Sequence, residues 1–404
     1  MPTISTNKEK IAEVLTRSVE SIYPTKQLLE ELLLSGKQIK IYVGIDPTAD
    51  YVHIGHSTNY LVLERFHRLG HKVIVLVGDF TARIGDPSDK TAARTPLSKE
   101  EVEHNLQSFK TQIGKILDFE NKDNPIDFVF NSTWLSTLDF GKLVELASQF
   151  TVQHMLERDM FQKRMREMKP LYVHEFFYPL LQGYDSVALG VDLEVGGTDQ
   201  TFNMLAGRTL VRRYLDREKF VLTTPLLVHP KTNEKLMSKS AGTGIGLHEA
   251  PDSMFGKVMA LPDESMPHVF RDCTRVSLDD INQLEARLQK GENPRDIKRK
   301  LAYEITALYH GEAEAKKAEH SWTQIFSDKK IPDTIPEVRV QKGTILIDVL
   351  VEQKFSTSKT EARRLCEQGA VEFDGSVIQN TAFVLDKSGV LRVGKKVLVR
   401  IVLE

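Results

Sequence analysis

The sequence predicts an α/β protein: a doubly wound, Rossmann-like parallel sheet forms the first domain, followed by a helical domain and a small α+β domain. Short apolar runs at residues 39–45, 73–77 and 128–130 alternate with stretches of helical spacing, as parallel strands buried on both faces do. The first run breaks into Asp46-Pro47-Thr48 and then into His53-Ile54-Gly55-His56 at a helix start, the form of a nucleotide-binding turn. Composition changes after Lys342, where a predicted helix at residues 359–367 and the pair Asp374-Gly375 between short apolar runs describe a compact unit.

Residues 9–34 carry helical spacing with Gly36 as a stop, and are expected to cover one face of the sheet. After the first strand, Val62, Phe66 and Leu69 continue a helix that Gly70 ends. His53 and His56 therefore stand at a helix N-terminus, where backbone N–H groups and the dipole meet phosphate. Two imidazoles three residues apart can donate to phosphate oxygens as charge grows on them, and Gly55 lets a nucleotide approach the backbone. Residues 84–94 read as a turn, Ile84-Gly85-Asp86-Pro87, followed by a cationic loop with Lys90 and Arg94 positioned to close over triphosphate. Strand ends place residues 44–46, 79–86 and Asn131 on one rim.

Residues 138–169 are helical and charged with a large apolar contribution from Phe150, His154, Met155, Phe161 and Met165, a candidate homodimer contact. On the next helix Tyr178, Gln182 and Asp185 fall at i, i+4 and i+7, so one face carries three polar groups amid Phe, Leu and Val and would line a pocket; Tyr184 lies off that face. A short strand then ends in Gly196-Gly197-Thr198-Asp199-Gln200, where Asp199 can accept from ribose hydroxyls. A last strand at residues 220–228 leads to Lys235-Leu236-Met237-Ser238-Lys239-Ser240 in a glycine-rich run suited to a mobile phosphate-covering loop. Ile297, Leu301, Ile305 and Leu308 mark a helix face in residues 250–326, and Pro332 and Pro336 punctuate a polar linker.

The expected division is a catalytic domain at 1–230 with a helical insertion at about 132–190, the loop and helical domain at 231–326, a linker at 327–341 and the terminal domain at 342–404. The 404 residues carry a net charge of −2, which argues against a generally basic nucleic-acid binder and confines any RNA contact to a local patch. Residues 342–404 hold ten Lys/Arg against eight Asp/Glu, a net of +2, leaving −4 for the rest. Only Cys273 and Cys366 occur, with no Cys/His spacing for zinc, so neither disulfides nor a protein-bound metal is expected and a reducing, cytoplasmic setting fits. No apolar run approaches the roughly 18 residues of a membrane span, and the first ten residues are polar, so no membrane role is expected.

The paired signatures, His53-Ile54-Gly55-His56 and Met237-Ser238-Lys239-Ser240 in this order, resemble the HIGH and KMSKS motifs of class I aminoacyl-tRNA synthetases. Nearly the whole chain resembles the bacterial tyrosyl-tRNA synthetases, and its end, Thr357-Ser358-Lys359-Thr360-Glu361-Ala362-Arg363-Arg364, resembles the S4-type RNA-binding module. The resemblance implies activation of L-tyrosine by ATP, with Mg²⁺ accompanying the nucleotide, and transfer of tyrosyl to tRNA(Tyr) by a homodimer. It assigns Tyr42 and Asp185 to the tyrosine phenol, and Asp86, Tyr178, Gln182 and Gln200 to the ammonium and carboxylate. Gly44, Asp46, Thr48, His53, Gly55, His56, Gly196 and Asp199 would hold ATP. Lys90, Arg94, Lys235, Met237, Ser238, Lys239 and Ser240 would meet its phosphates. Ser358, Lys359, Arg363 and Arg364 would meet RNA. The chain departs at Leu236, where KMSKS has lysine and Lys235 is the substitute, and at Glu194, where glutamine is common in related enzymes. A tryptophanyl-tRNA synthetase, a pantetheine-type nucleotidyltransferase and a non-catalytic RNA-binding protein fit less of the pattern.

Overall fold

The computed structural model describes residues 2–88, 97–237, 243–326, 336–353, 355–394 and 397–404. The expected site residues Lys90, Arg94, Ser238, Lys239 and Ser240 lie outside them. Two compact units interleave in sequence, Met1–Glu249 with Pro262–Pro294, and Ala250–Leu261 with Arg295–Glu404.

The first unit is built on a six-stranded sheet of β1 (Ser21–Tyr23), β2 (Lys40–Ile45), β3 (Lys72–Val77), β4 (Asp127–Phe130), β5 (Leu193–Gly197) and β6 (Phe220–Thr224), in the order β1-β6-β5-β2-β3-β4. Strands β2 to β6 are mutually parallel and β1 joins β6 antiparallel. Residues 73–77 and the whole of β6 are buried, as helices on both faces require. The chain runs outward from β2 through β3 to β4, then returns to β5 on the other side of β2. Their carboxyl ends thus diverge at a switch point, the place where such sheets take ligands. Helices from Ser132–Leu135 to Val173–Leu189 fill the crossover between β4 and β5.

Two expectations change here. Residues 9–34 form two helices, Lys8–Val14 and Lys26–Leu34, with β1 between them. Ser18 takes a positive φ of 60°, Pro24 denies a helix its donor, and Thr25 caps the second helix through Leu28 N, so the helical spacing does not run through. The last strand stops at Thr224 because Pro225 cannot continue the ladder.

In the second unit the helix Pro294–His310 buries Ile297, Leu301, Ile305 and, in place of the expected Leu308, Tyr309. A five-stranded sheet follows, of β7 (Glu337–Val340), β8 (Val371–Phe373), β9 (Ser376–Val377), β10 (Gly389–Val393) and β11 (Val397–Leu403), ordered β7-β11-β10-β8-β9. Strand β7 falls in the stretch expected as linker, yet pairs in parallel with β11. Asp374 and Gly375 both take positive φ, 49° and 78°, as a two-residue hairpin turn demands. The helices Leu346–Glu352 and Lys359–Glu367 close the core of this sheet through Val349, Leu350, Ala362 and Cys366.

Candidate active site

A cavity of about 860 Å³ opens at the switch point of the first sheet. It gathers residues that the sequence scatters. Tyr42, Gly44 and Asp46 come from β2 and its exit, followed by Thr48, His53, Gly55 and His56. Asp86 follows β3; Tyr178, Gln182 and Asp185 share one helix face; Gly196, Asp199 and Gln200 leave β5; and Lys235 and Met237 come from the segment after β6. Ser358, Lys359, Arg363 and Arg364, expected from the sequence to meet RNA, belong to the second unit. There Ser358 caps the helix Lys359–Glu367, Arg363 and Arg364 are exposed, and Lys359 Nζ pairs with Asp348 at 2.7 Å.

On one side of the cavity, His53 is the N-cap of the helix Ile54–Arg68 and its imidazole stacks on that of His56, 3.6 Å between ring centres. The His53 backbone N–H donates to His56 Nδ1 at 3.4 Å, which places the His56 proton on Nε2 and makes that nitrogen a donor. The helix start is pinned by a strand-like return of the chain: Ile54 N donates to the Ile245 carbonyl at 2.9 Å and Leu247 N to the Val52 carbonyl at 2.8 Å. Gly55 suits the close packing here, because a Cβ would lie 3.0 Å from His53 Nδ1 and 3.3 Å from Met237 Cβ and would press on both. Lys235 bridges to Val228, and Leu236 N donates to the Leu227 carbonyl, so the residues entering the 238–242 segment sit at the cavity wall.

The opposite side is acidic and tightly wired. Asp46 accepts from Thr81 Oγ1 at 2.7 Å and from the Tyr178 hydroxyl at 2.9 Å. Asp86 accepts from Gln200 Nε2 at 2.6 Å and from Ser88, whose hydroxyl also takes Arg158 Nη2 at 2.6 Å. Asn203 holds Gln200 from behind, donating to its Oε1 at 3.0 Å. Deeper, the buried Asp185 accepts from Trp134 Nε1 at 2.7 Å and Asn131 Nδ2 at 3.2 Å. Burial pushes its carboxyl well above the usual range, against those two donors. Burial and the nearby Glu194 and Asp185 also raise the Tyr42 phenol, whose hydroxyl lies 2.8 Å from Ser186 Oγ.

The structure also shows the surroundings of Glu194, where the chain departs from related enzymes. It is buried and forms an ion pair with Lys219, whose ammonium burial lowers from its ordinary value. Lys219, Ser186, Trp134, Arg158 and Asn203 escaped the sequence reading. For the ion pair a signal existed: Glu194 interrupts an apolar strand and Lys219 adjoins another, and opposite charges on neighbouring buried strands need each other. The other four become visible only through contacts distant in sequence.

The family model for class I tRNA synthetases (W and Y) matches residues 34–327, and that for the tyrosine–tRNA ligase SYY-like C-terminal domain matches residues 328–400. The chain belongs to the class I tRNA synthetases of the W and Y type. Tyrosine–tRNA ligase 2 of Clostridium acetobutylicum is 41% identical over 98% of this chain and 100% of its own length. The tyrosine–tRNA ligase of Haemophilus ducreyi is 43% identical over 97% of this chain and 98% of its own. The C-terminally truncated mitochondrial tyrosyl-tRNA synthetase of Aspergillus nidulans shares the fold, with a TM-score of 0.68 at 23% identity over 79% of this chain and 94% of that one. Membership in this class I family accords with the order of the two signatures, the first at the helix start of Ile54–Arg68 and the second after β6.

Proposed function

We propose that the chain is a tyrosine–tRNA ligase, which joins L-tyrosine to ATP as tyrosyl-adenylate, releases pyrophosphate, and passes the tyrosyl group to the 3′-terminal adenosine of tRNA(Tyr). The observation that carries this reading is the cavity at the switch point, where the polar groups of Tyr42 and Asp185 line the same space as the His53–His56 helix start. Asp86, Tyr178, Gln182 and Gln200 form an acidic and amide-rich wall suited to the amino acid's ammonium and carboxylate, with Asp46, which accepts from Tyr178, on the nucleotide side of it. Gly44 has nothing within 4 Å of where a Cβ would stand, so it leaves room for the nucleotide, with Thr48, Gly196 and Asp199 around it.

In this reading the tyrosine carboxylate attacks the α-phosphate in line and pyrophosphate departs. The protein forms no covalent bond to the substrate; it holds two reactants in register and stabilises charge. The His56 Nε2 proton and the first-turn N–H groups meet the phosphate oxygens as their charge grows. Lys90, Arg94, Lys235, Met237, Ser238, Lys239 and Ser240 are assigned to the departing phosphates, and magnesium arrives with ATP as part of the substrate. Residues 1–230 carry the chemistry and residues 231–326 the loop and helices. Residues 342–404, together with β7, offer Ser358, Lys359, Arg363 and Arg364 to the RNA.

Exposed apolar side chains on the crossover helices, Phe140, Val144, Val152 and Val173, support a homodimer formed through this face. Among the described residues no helix is long and apolar enough to cross a membrane, and a cytoplasmic site of action is part of the proposal. The test is ATP–pyrophosphate exchange with each standard amino acid in turn. Exchange with tyrosine alone is expected; exchange driven by tryptophan, or by none, overturns the reading.

A further inference from the structure

Asp86 and Gln200 face the cavity, and they are held from behind by residues that do not line it. Asp86 Oδ2 accepts from Gln200 Nε2 at 2.6 Å, while its Oδ1 accepts from the backbone N–H and the hydroxyl of Ser88, at 2.9 and 2.7 Å. Behind Ser88 stands Arg158, the N-cap of the helix Asp159–Arg166 on the crossover between β4 and β5, with 5% of its surface exposed. Its Nη2 donates to Ser88 Oγ at 2.6 Å and lies 3.8 Å from Asp86 Oδ1.

A guanidinium taken out of water needs an opposite charge or hydrogen bonds in return. Arg158 finds little else than Ser88 and Asp86. Its guanidinium carbon is 5.1 and 5.2 Å from the ring centres of Phe161 and Phe202, and its Nη1 is buried with no hydrogen-bond partner among the described residues. An apolar side chain of that length would suit two phenyl rings as well, so packing does not account for an arginine here. The sense of the chain from Arg158 to Asp86 is fixed at both ends, because a guanidinium only donates and a carboxylate only accepts. Ser88 therefore takes Arg158 on its oxygen and turns its one proton to Asp86. With Oδ1 tied on the arginine side, the carboxylate keeps one orientation, and Oδ2 stays beside Gln200 at the cavity.

We propose that Arg158 is a positioning residue for the amino-acid pocket: through Ser88 it sets the Asp86 carboxylate so that Oδ2 meets the α-ammonium of the substrate. This rests on the tyrosine-activating reading above.

Arg158→Met keeps a side chain of similar length beside the two rings and removes the charge and the donors. Pyrophosphate exchange is measured on the full chain, with thermal unfolding as the control for folding. Two inhibitors of the exchange separate the ends of the amino acid: tyrosinol has the ammonium and lacks the carboxylate, and the desamino analogue of tyrosine has the carboxylate and lacks the ammonium. The variant is expected to fold, to raise the KM for tyrosine and the Ki of tyrosinol about tenfold, and to leave the Ki of the desamino analogue and the KM for ATP within about twofold. A folded variant in which none of these values moves, or in which all the ligands weaken alike, overturns the proposal and leaves Arg158 a structural residue. Should Arg158→Met not fold, Ser88→Ala decides: a loss confined to ligands with an ammonium supports the relay, and unchanged tyrosinol binding overturns it. Unaltered variants of a parent that activates tyrosine leave the functional reading standing, whereas a parent inert toward tyrosine overturns both.

Discussion

Residue by residue, the cavity separates groups by how their protons are held. Asp185 offers a carboxyl fixed by Trp134 and Asn131, whereas Tyr42 offers a neutral hydroxyl tied to Ser186. Tyr42→Phe is therefore expected to lower the tyrosine-to-phenylalanine ratio of kcat/KM less than Asp185→Asn does, since an amide NH₂ in place of one carboxyl oxygen would face the donor Trp134 Nε1 or Asn131 Nδ2 and disturb the whole cluster. A site built for a hydroxyl rejects the analogue lacking it by about 10⁴ to 10⁵, a magnitude whose standard example is a tyrosyl-tRNA synthetase. An unchanged ratio in Tyr42→Phe removes that residue from the site. Elsewhere in the unit, His71 is buried, its Nδ1 accepts from Ile39 N at 3.4 Å, and burial holds its pKa down at about 4. The unfolded chain takes up this proton near pH 6.5 and the folded chain only near 4. The neutral ring's stabilising share is thus whole above pH 6.5 and is lost as pH falls toward 4, on the order of 3 kcal/mol. His71→Phe should flatten that part of the stability curve in urea titrations between pH 4 and 7; an identical slope in parent and variant refutes the assignment.

Among the elements, the helix Ile54–Arg68 shows what could be read from sequence and what could not. Its start at His53-Ile54-Gly55-His56 and its stop at Gly70 were legible, since caps and glycines act locally. So were β2 to β5, as short apolar runs, that of β3 bounded by Gly70 and Gly78. The segment 9–34 was misread because a period of 3.6 persists across Ser18 and Pro24, where backbone conformation overrides it. The return of residues 245–247 onto the helix start and the Asp86–Gln200–Asn203 wiring are tertiary facts with no local period. His53→Ala or His56→Ala is predicted to slow tyrosyl-adenylate formation about 10²-fold in single-turnover assays while tyrosine affinity stays near that of the parent. Weakened binding with an unchanged rate would be the wrong outcome for a pair that acts on growing phosphate charge. On the crossover helices, Phe140 is 80% exposed, and Phe140→Glu is expected to raise the dimer dissociation constant in sedimentation experiments if this face joins two copies.

Across the whole molecule, each unit buries a core of its own. Among the described residues, the core of the C-terminal sheet draws on those from Val338 to Leu403. A change of composition made this module legible, but not its edge: β7 lies in a polar, proline-punctuated stretch and becomes a strand only because β11 offers it a ladder. A truncation intended to remove the module must therefore begin at Pro336, whose carbonyl accepts from Arg400 N at 2.8 Å, and not at Lys342. Cutting at Lys342 would strand β7 with its hydrogen bonds unmade. Removing residues 336–404 takes away Ser358, Lys359, Arg363 and Arg364 but none of the cavity residues. Tyrosine-dependent pyrophosphate exchange should persist within about twofold of the parent, while the KM for tRNA in aminoacylation rises about tenfold or more, the loss of at least about 1.4 kcal/mol of binding. Because those contacts would run through arginine and lysine to phosphate, the difference between the full chain and the truncation should narrow as salt increases. Loss of exchange in a folded truncation would show that the module serves activation as well as RNA binding.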